Sequence, residues 1–155
     1  MMTSQNEEND NRFMQIAIDE AGKAALFGEV PIGAVIVSEG EVIAKAHNQR
    51  ESLADPTAHA EILAIQQAAG KLNRWRLVGC QMYVTKEPCP MCAGAIYQAR
   101  LERLVYGAAD KKAGAAGTLY NIVDDQRLNH QVEVTQGVLE KDCRSLLQDF
   151  FKEKR

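Results

Sequence analysis

Thr85-Lys86-Glu87-Pro88-Cys89-Pro90-Met91-Cys92 lies between two apolar segments, Cys80 to Thr85 and Leu101 to Tyr106, and its reading decides the fold. Pro90 suits the first turn of a helix, where its missing N–H has no partner to lose. A helix is therefore expected from Pro90 to about Ala99, with a strand on each side. Working outward, Asp55-Pro56 is a capping residue followed by proline, which predicts a second helix with a body from Thr57 to Ala69 and a stop at Gly70. Before it, Pro31 to Val37 and Val42 to Ala46 read as a hairpin across Glu39-Gly40-Glu41, and Asn48 to Ala54 as a loop. Phe13, Ile16, Ala17, Ala21, Ala24 and Ala25 recur with a period of about 3.6 residues, so a first helix capped by Asp10 or Asn11 should run to Gly28. Beyond Tyr106 come a glycine- and alanine-rich loop, Gly107 to Gly117, a short helix, Leu119 to Val123, and a last strand, Val132 to Thr135. A closing amphipathic helix, Glu140 to Lys152, turns Leu146, Leu147 and Phe150 inward. Strands alternating with helices of this length predict an α/β fold, a mixed sheet covered on both faces.

The chain has 155 residues, enough for a single domain with its own core. Residues 1–10 read as a disordered arm and 11–155 as the domain. A net charge of -3 selects no partner class, because local patches count for more than totals. No apolar run reaches the roughly 20 residues of a membrane span. The polar, acidic start, with Glu7, Glu8 and Asp10, lacks the order of a signal peptide, so a cytoplasmic protein is expected. The four cysteines are Cys80, Cys89, Cys92 and Cys143. Paired disulfides suit small secreted chains rather than one of this kind.

Cys89 and Cys92 stand at i and i+3, which at the first turn of a helix puts both sulfurs on one side. His59 lies near the start of another helix. Three protein ligands leave a fourth tetrahedral position for water, the pattern of a catalytic rather than a structural zinc. Two helix N-termini aimed at one point favour thiolates and a bound hydroxide. Glu61 is two residues after His59, about 200° around a regular helix. The two side chains converge only if the metal lies off the helix end. A glutamate that reaches the metal's water without binding the metal is its general base. A closed structural zinc site is the rival reading, but it requires a second ligand pair that neither Cys80 nor Cys143 forms. A thiol redox pair made of Cys89 and Cys92 is another. His47 has no partner spacing and reads as structural.

His59-Ala60-Glu61 with Pro88-Cys89-x-x-Cys92 is the zinc nucleobase deaminase signature. Further matches are Val30 to Val35, Asn48, Asp55 to Ile62, Tyr83-Val84-Thr85, Met91 to Ala95, Asp110-x-Lys112-x-Gly114-Ala115-Ala116-Gly117, Asn129-His130 and Phe150-Phe151. From Phe13 to Lys152 the chain resembles the bacterial tRNA-specific adenosine deaminases of the cytidine/deoxycytidylate deaminase superfamily. The resemblance implies a cytidine-deaminase-like three-layer αβα sandwich with a central mixed five-stranded sheet, a homodimer, and conversion of adenosine at position 34 of a tRNA anticodon to inosine. It implies one zinc ion per subunit on His59, Cys89 and Cys92, activating water for attack at C6 with loss of ammonia, and Glu61 as proton shuttle. Asn48 would hydrogen-bond the base, with Val30, Pro31 and Ala60 around it. Asp110, Lys112, Asn129 and His130 would meet flanking nucleotides of the anticodon stem-loop, and Lys154 and Arg155 its phosphates. Lys86 departs from the family in replacing an apolar residue, and Thr118 in replacing a serine. A free-base or nucleoside deaminase of the same fold, such as guanine deaminase, shares the catalytic motifs. Only the 110–117 loop with Asn129-His130 speaks against it.

Overall fold

Alternate residues along the strands point to opposite sides of one sheet, and a pair of helices covers each side. The computed structural model describes residues 2–154. In chain order the elements are α1 (Met2–Leu26), β1 (Gly33–Ser38), β2 (Glu41–His47), α2 (Arg50–Leu53), α3 (Ala60–Leu72), β3 (Cys80–Lys86), α4 (Pro90–Gln98), β4 (Arg103–Ala108), β5 (Glu133–Gln136) and α5 (Glu140–Glu153). The sheet order is β2-β1-β3-β4-β5. β1 is antiparallel to β2 and β3, while β3, β4 and β5 run parallel. Val35, Val37, Tyr83 and Val105 meet Phe13, Met14 and Ala17 of α1 and Cys143 of α5. Ala34, Ile36, Met82, Val84, Leu104 and Tyr106 meet Ala60, Ala64 and Ala68 of α3 and Ala93 and Ile96 of α4. The period of two along each strand thus builds the three layers of the expected sandwich.

Two glycines set the α1–β1 corner. Gly28, at φ 76°, ends α1, and Glu29 N–H turns back to Ala24 O at 3.0 Å. A Cβ on Gly33 would run into the backbone of Ala17 and Ala21, so α1 lies close on β1 only because this residue has none.

Five expectations are corrected. The first helix begins at Met2 rather than at a cap on Asp10 or Asn11, and the segment expected as an arm forms its opening turns. Asp10 is buried within α1 and serves tertiary structure instead. Its two oxygens accept from Arg103 at 2.8 Å each, and one accepts from Tyr83 Oη at 2.7 Å. The second helix begins at Ala60, not Asp55. Asp55 Oδ1 takes the Thr57 N–H and hydroxyl at 2.8 and 2.7 Å, closing an Asx turn ahead of the helix. That helix passes through Gly70 and ends at Asn73 in the left-handed region, φ 54°. Residues 119–123 form no helix: Leu119 and Tyr120 N–H both return to Gly114 O at 2.9 and 3.1 Å, closing a turn bridged from Ala116 to Asn121. On α5 the buried residue is Cys143, while Leu146, Leu147 and Phe150 are half-buried.

Candidate active site

Two helices begin at one point beyond the end of β3. His59 is the N-cap residue of α3 and Cys89 that of α4, both extended, with ψ 151° and 174°. Pro90 occupies the first turn of α4 as expected. His59 Nδ1 lies 3.7 Å from Cys89 Sγ and 3.4 Å from Cys92 Sγ. Among the described residues, these three form a group whose donor atoms all lie within 4.8 Å of one another, positioned to hold a metal ion. Cys92 is fully buried, while His59 and Cys89 are partly open to the cleft in front.

Cys89 is lowered to about 4, chiefly by the Cys92 thiol that donates to it and then by His59, against burial. Cys92 is raised by the thiolate of Cys89 and by burial. The Cys89 sulfur also raises His59, against burial. A dication held between the three donors would replace these protons, so its binding would release them. The partial positive charge of both helix starts favours the thiolates.

Glu61 lies in the first turn of α3 and is 4 % exposed. It reaches the same cleft as His59 because that histidine, the N-cap residue, sits off the helix end. Burial pushes its carboxyl up to about 7, against the pull of its own backbone N–H and of His59. A group that titrates near neutrality in a cleft is suited to carry protons in both directions.

The cleft encloses about 240 Å³, enough for a single ring system and below the roughly 300–1,000 Å³ typical of drug-sized ligands. Val30, Asn48, Ala60 and Asp110 line it. Pro31 is buried behind Val30. Asn48 is fixed by its neighbours: Nδ2 donates to Val30 O at 3.3 Å and Oδ1 accepts from Arg50 N–H at 3.3 Å. One Nδ2 proton is left for a ligand. Lys112 and Asn129 are exposed and do not line the cleft. The ring of His130 contacts Leu101 O at 2.8 Å and faces a different hollow, beside Arg76 and Arg100. Lys154 borders the hollow next to the cleft, with its ammonium 5.3 Å from the Phe150 ring, while Arg155 lies outside the described residues. Cys80 and Cys143 stand apart from the site, at the start of β3 and in α5.

Three charged residues in or beside the cleft have structural roles that the sequence reading did not assign. Glu87, 2 % exposed, accepts from Asp110, Ala116 and Thr118 N–H at 3.0, 3.0 and 3.1 Å and from the Thr118 hydroxyl. It thereby ties the 110–118 loop to the turn that carries Cys89, and Ala115 N–H adds a bond to Pro88 O at 2.9 Å. Glu29, 1 % exposed, does the same for the Asn48 loop by accepting from Glu51 N–H at 3.0 Å and from the Ser52 N–H and hydroxyl at 2.6 Å each. Lys86 pairs with Asp110 at 3.2 Å, which accommodates its charge at the cleft.

The chain matches the family of MafB19-like deaminases over residues 8–155, so fold and site define a deaminase. It is 53% identical to the tRNA-specific adenosine deaminase of Bacillus subtilis (strain 168) over 146 residues, 94% of this chain and 91% of that one. A structure from work on A-to-I editing by tRNA:A34 deaminases at the wobble position of transfer RNA superimposes with a TM-score of 0.85 at 44% identity, covering 88% of this chain and 99% of that one. A guanine deaminase from Bacillus subtilis matches less of the molecule, with a TM-score of 0.62 at 41% identity over 69% of each chain. The chain belongs to the tRNA-specific adenosine deaminase family. No described helix is long and apolar enough to cross a membrane.

Proposed function

We propose that this protein hydrolyses the wobble adenosine of a tRNA anticodon, position 34, to inosine and ammonia. The observation that carries the reading is the convergence of His59, Cys89 and Cys92 with a buried Glu61 in one cleft. With Zn–N near 2.0 Å and Zn–S near 2.3 Å, two donors on a tetrahedral ion lie about 3.6 Å apart, and the sulfurs here stand 3.7 and 3.4 Å from the imidazole. His59, Cys89 and Cys92 would hold one zinc ion per subunit. A bound zinc supplies Lewis acidity and makes a water nucleophilic near neutral pH.

The chain's own residues then divide the work. Glu61 accepts one proton of the attacking water and delivers it to N1 of adenine, then takes the proton of the hydroxyl now on C6 and passes it to the amino group, which leaves as ammonia while the C6 carbonyl forms, a role worth roughly 10²–10⁴-fold. Asn48 offers its remaining Nδ2 proton to the base. Val30 and Ala60 wall the cleft against water, and the buried Pro31 backs them. Asp110 stands at the rim, held by Glu87, on the side where a flanking nucleotide passes. Lys112, Asn129 and His130 would meet nucleotides farther out. The target base must leave its stack, which an anticodon loop permits at low cost.

The reading treats residues 11–155 as one deaminase domain working in the cytoplasm as a homodimer. Trp75, Val78, Met91, Leu119 and Tyr120 are exposed apolar side chains of the kind a dimer face uses. The test is incubation of the zinc-loaded protein with a short anticodon stem-loop bearing adenosine at the wobble position, followed by sequencing for inosine. Conversion at that position supports the reading. Ammonia release from free guanine or cytidine, with the stem-loop untouched, replaces it with the free-base or nucleoside alternative.

A further inference from the structure

Two cations at the mouth of the cleft have no part in the chemistry above. Lys86, the last residue of β3, lines the cleft with its ammonium 3.2 Å from Asp110 Oδ2. Asp110 does not exhaust it. The other oxygen, Oδ1, already accepts from Lys112 and Ala113 N–H at 2.9 and 3.2 Å. A single ion pair leaves the ammonium two further protons to donate. Arg50, the first residue of α2, lines the cleft and also the neighbouring hollow bounded by Gly28, Glu29, Phe150 and Lys154. Among the described residues no salt bridge engages Arg50. The nearby Glu29 spends its oxygens on Glu51 and Ser52.

The carboxylates that line the cleft are likewise committed, Glu61 to proton transfer and Glu87 to its four donors. Adenine itself is neutral, so a free base or nucleoside gives neither cation a negative charge to pair with. A nucleotide extruded from a strand is different. Its base enters the cleft while the phosphates on its two sides stay at the mouth. We propose that Lys86 and Arg50 are substrate-binding residues that each hold one of these phosphates, so that the cleft takes its base from a strand rather than from solution. The proposal rests on the polynucleotide reading given above.

The test measures binding and turnover separately. Affinity of the zinc-loaded protein for a fluorescent anticodon stem-loop is followed over a salt series, and steady-state deamination is measured on the same RNA. Lys86→Leu and Arg50→Ala should each lower the slope of log K against log salt by roughly one and raise KM several-fold, with kcat moved far less. Lys86→Arg should restore the slope, since it keeps the charge. An unchanged slope in both Lys86→Leu and Arg50→Ala overturns the proposal. So does a loss in Lys86→Leu that Lys86→Arg does not rescue, because Lys86 then acts only by bracing Asp110. The slope is read from binding alone. It decides the phosphate contacts whether or not the stem-loop is deaminated, and the inosine assay decides the activity.

Discussion

Glu87 and Thr118, 31 residues apart in sequence, meet twice: the backbone N–H and the hydroxyl of Thr118 both donate to the one buried carboxylate. With Asp110 and Ala116 N–H added, this carboxylate holds the whole 110–118 loop against the turn that carries Cys89. A Cβ on Gly114 would overlap the same carboxylate, so loop and glutamate fit each other only with glycine there.

Glu87→Ala should therefore cost stability as well as substrate binding. It leaves buried N–H donors without acceptors, a loss of roughly 3 kcal/mol, or about 6–12 °C in Tm at this chain length. Thermal denaturation checks this, and a variant as stable as the parent would remove the hub from the account. Gly114→Ala should be destabilising for the converse reason, that the added methyl displaces the carboxylate.

Glu61→Gln keeps the shape of the buried side chain and removes its ability to take a proton. Turnover should fall by at least about 10²-fold, while metal content, measured by atomic absorption, stays at the parent level. Retained turnover would assign the proton transfers to another group.

Cys89→Ser should lose both metal and activity, because a hydroxyl at the N-cap of α4 offers no thiolate to the site. Chelation of the parent protein should lower its Tm, since an ion held by α3 and α4 together binds the folded chain and not the unfolded one. Adding zinc back should restore both. A chelated protein with unchanged Tm and full activity would argue for chemistry without the metal.

The Asp10–Arg103 pair sets an acid limit. Burial raises the Asp10 carboxyl, but the hydrogen bonds from Arg103 and Tyr83 outweigh it, and the net shift is downward from 3.8. A folded-state value below the unfolded one means that the unfolded chain binds the proton more readily. The stabilisation is complete above pH 3.8 and is lost as pH falls through the lower folded value. Asp10→Asn should cost roughly 2–4 kcal/mol near neutral pH, toward the lower end for a pair that keeps some solvent access. Its stability should also fall less steeply than the parent's below pH 3.8. Denaturant titrations over a pH series check both.

Local grammar was legible wherever the outcome is decided within a few residues. Pro90 opens α4 because proline fits a first turn, Gly28 closes α1 through its left-handed conformation, and the strands show their alternation because their two faces meet different helices. Boundaries failed where a side chain had a second possible partner. Asp10 and Asp55 both carry the signal of a helix cap. One instead joins Arg103, 93 residues away, and the other closes an Asx turn.

For the site the division is similar. The amino-acid sequence by itself picked out the group positioned for a metal: His59, Cys89 and Cys92 could be named with Glu61 beside them, because such a group depends on residue type and short spacing. Only the tertiary structure decided what surrounds them. It showed that Glu61 reaches the cleft because His59 caps its helix from outside. It showed that Glu87 and Glu29 are buried anchors rather than surface charges. It also put Lys86 and Arg50 at the mouth while turning His130 toward another hollow. A glutamate or lysine reads the same in sequence whether it is solvated or held by partners tens of residues away. Its environment is fixed only when the sheet brings those partners to it.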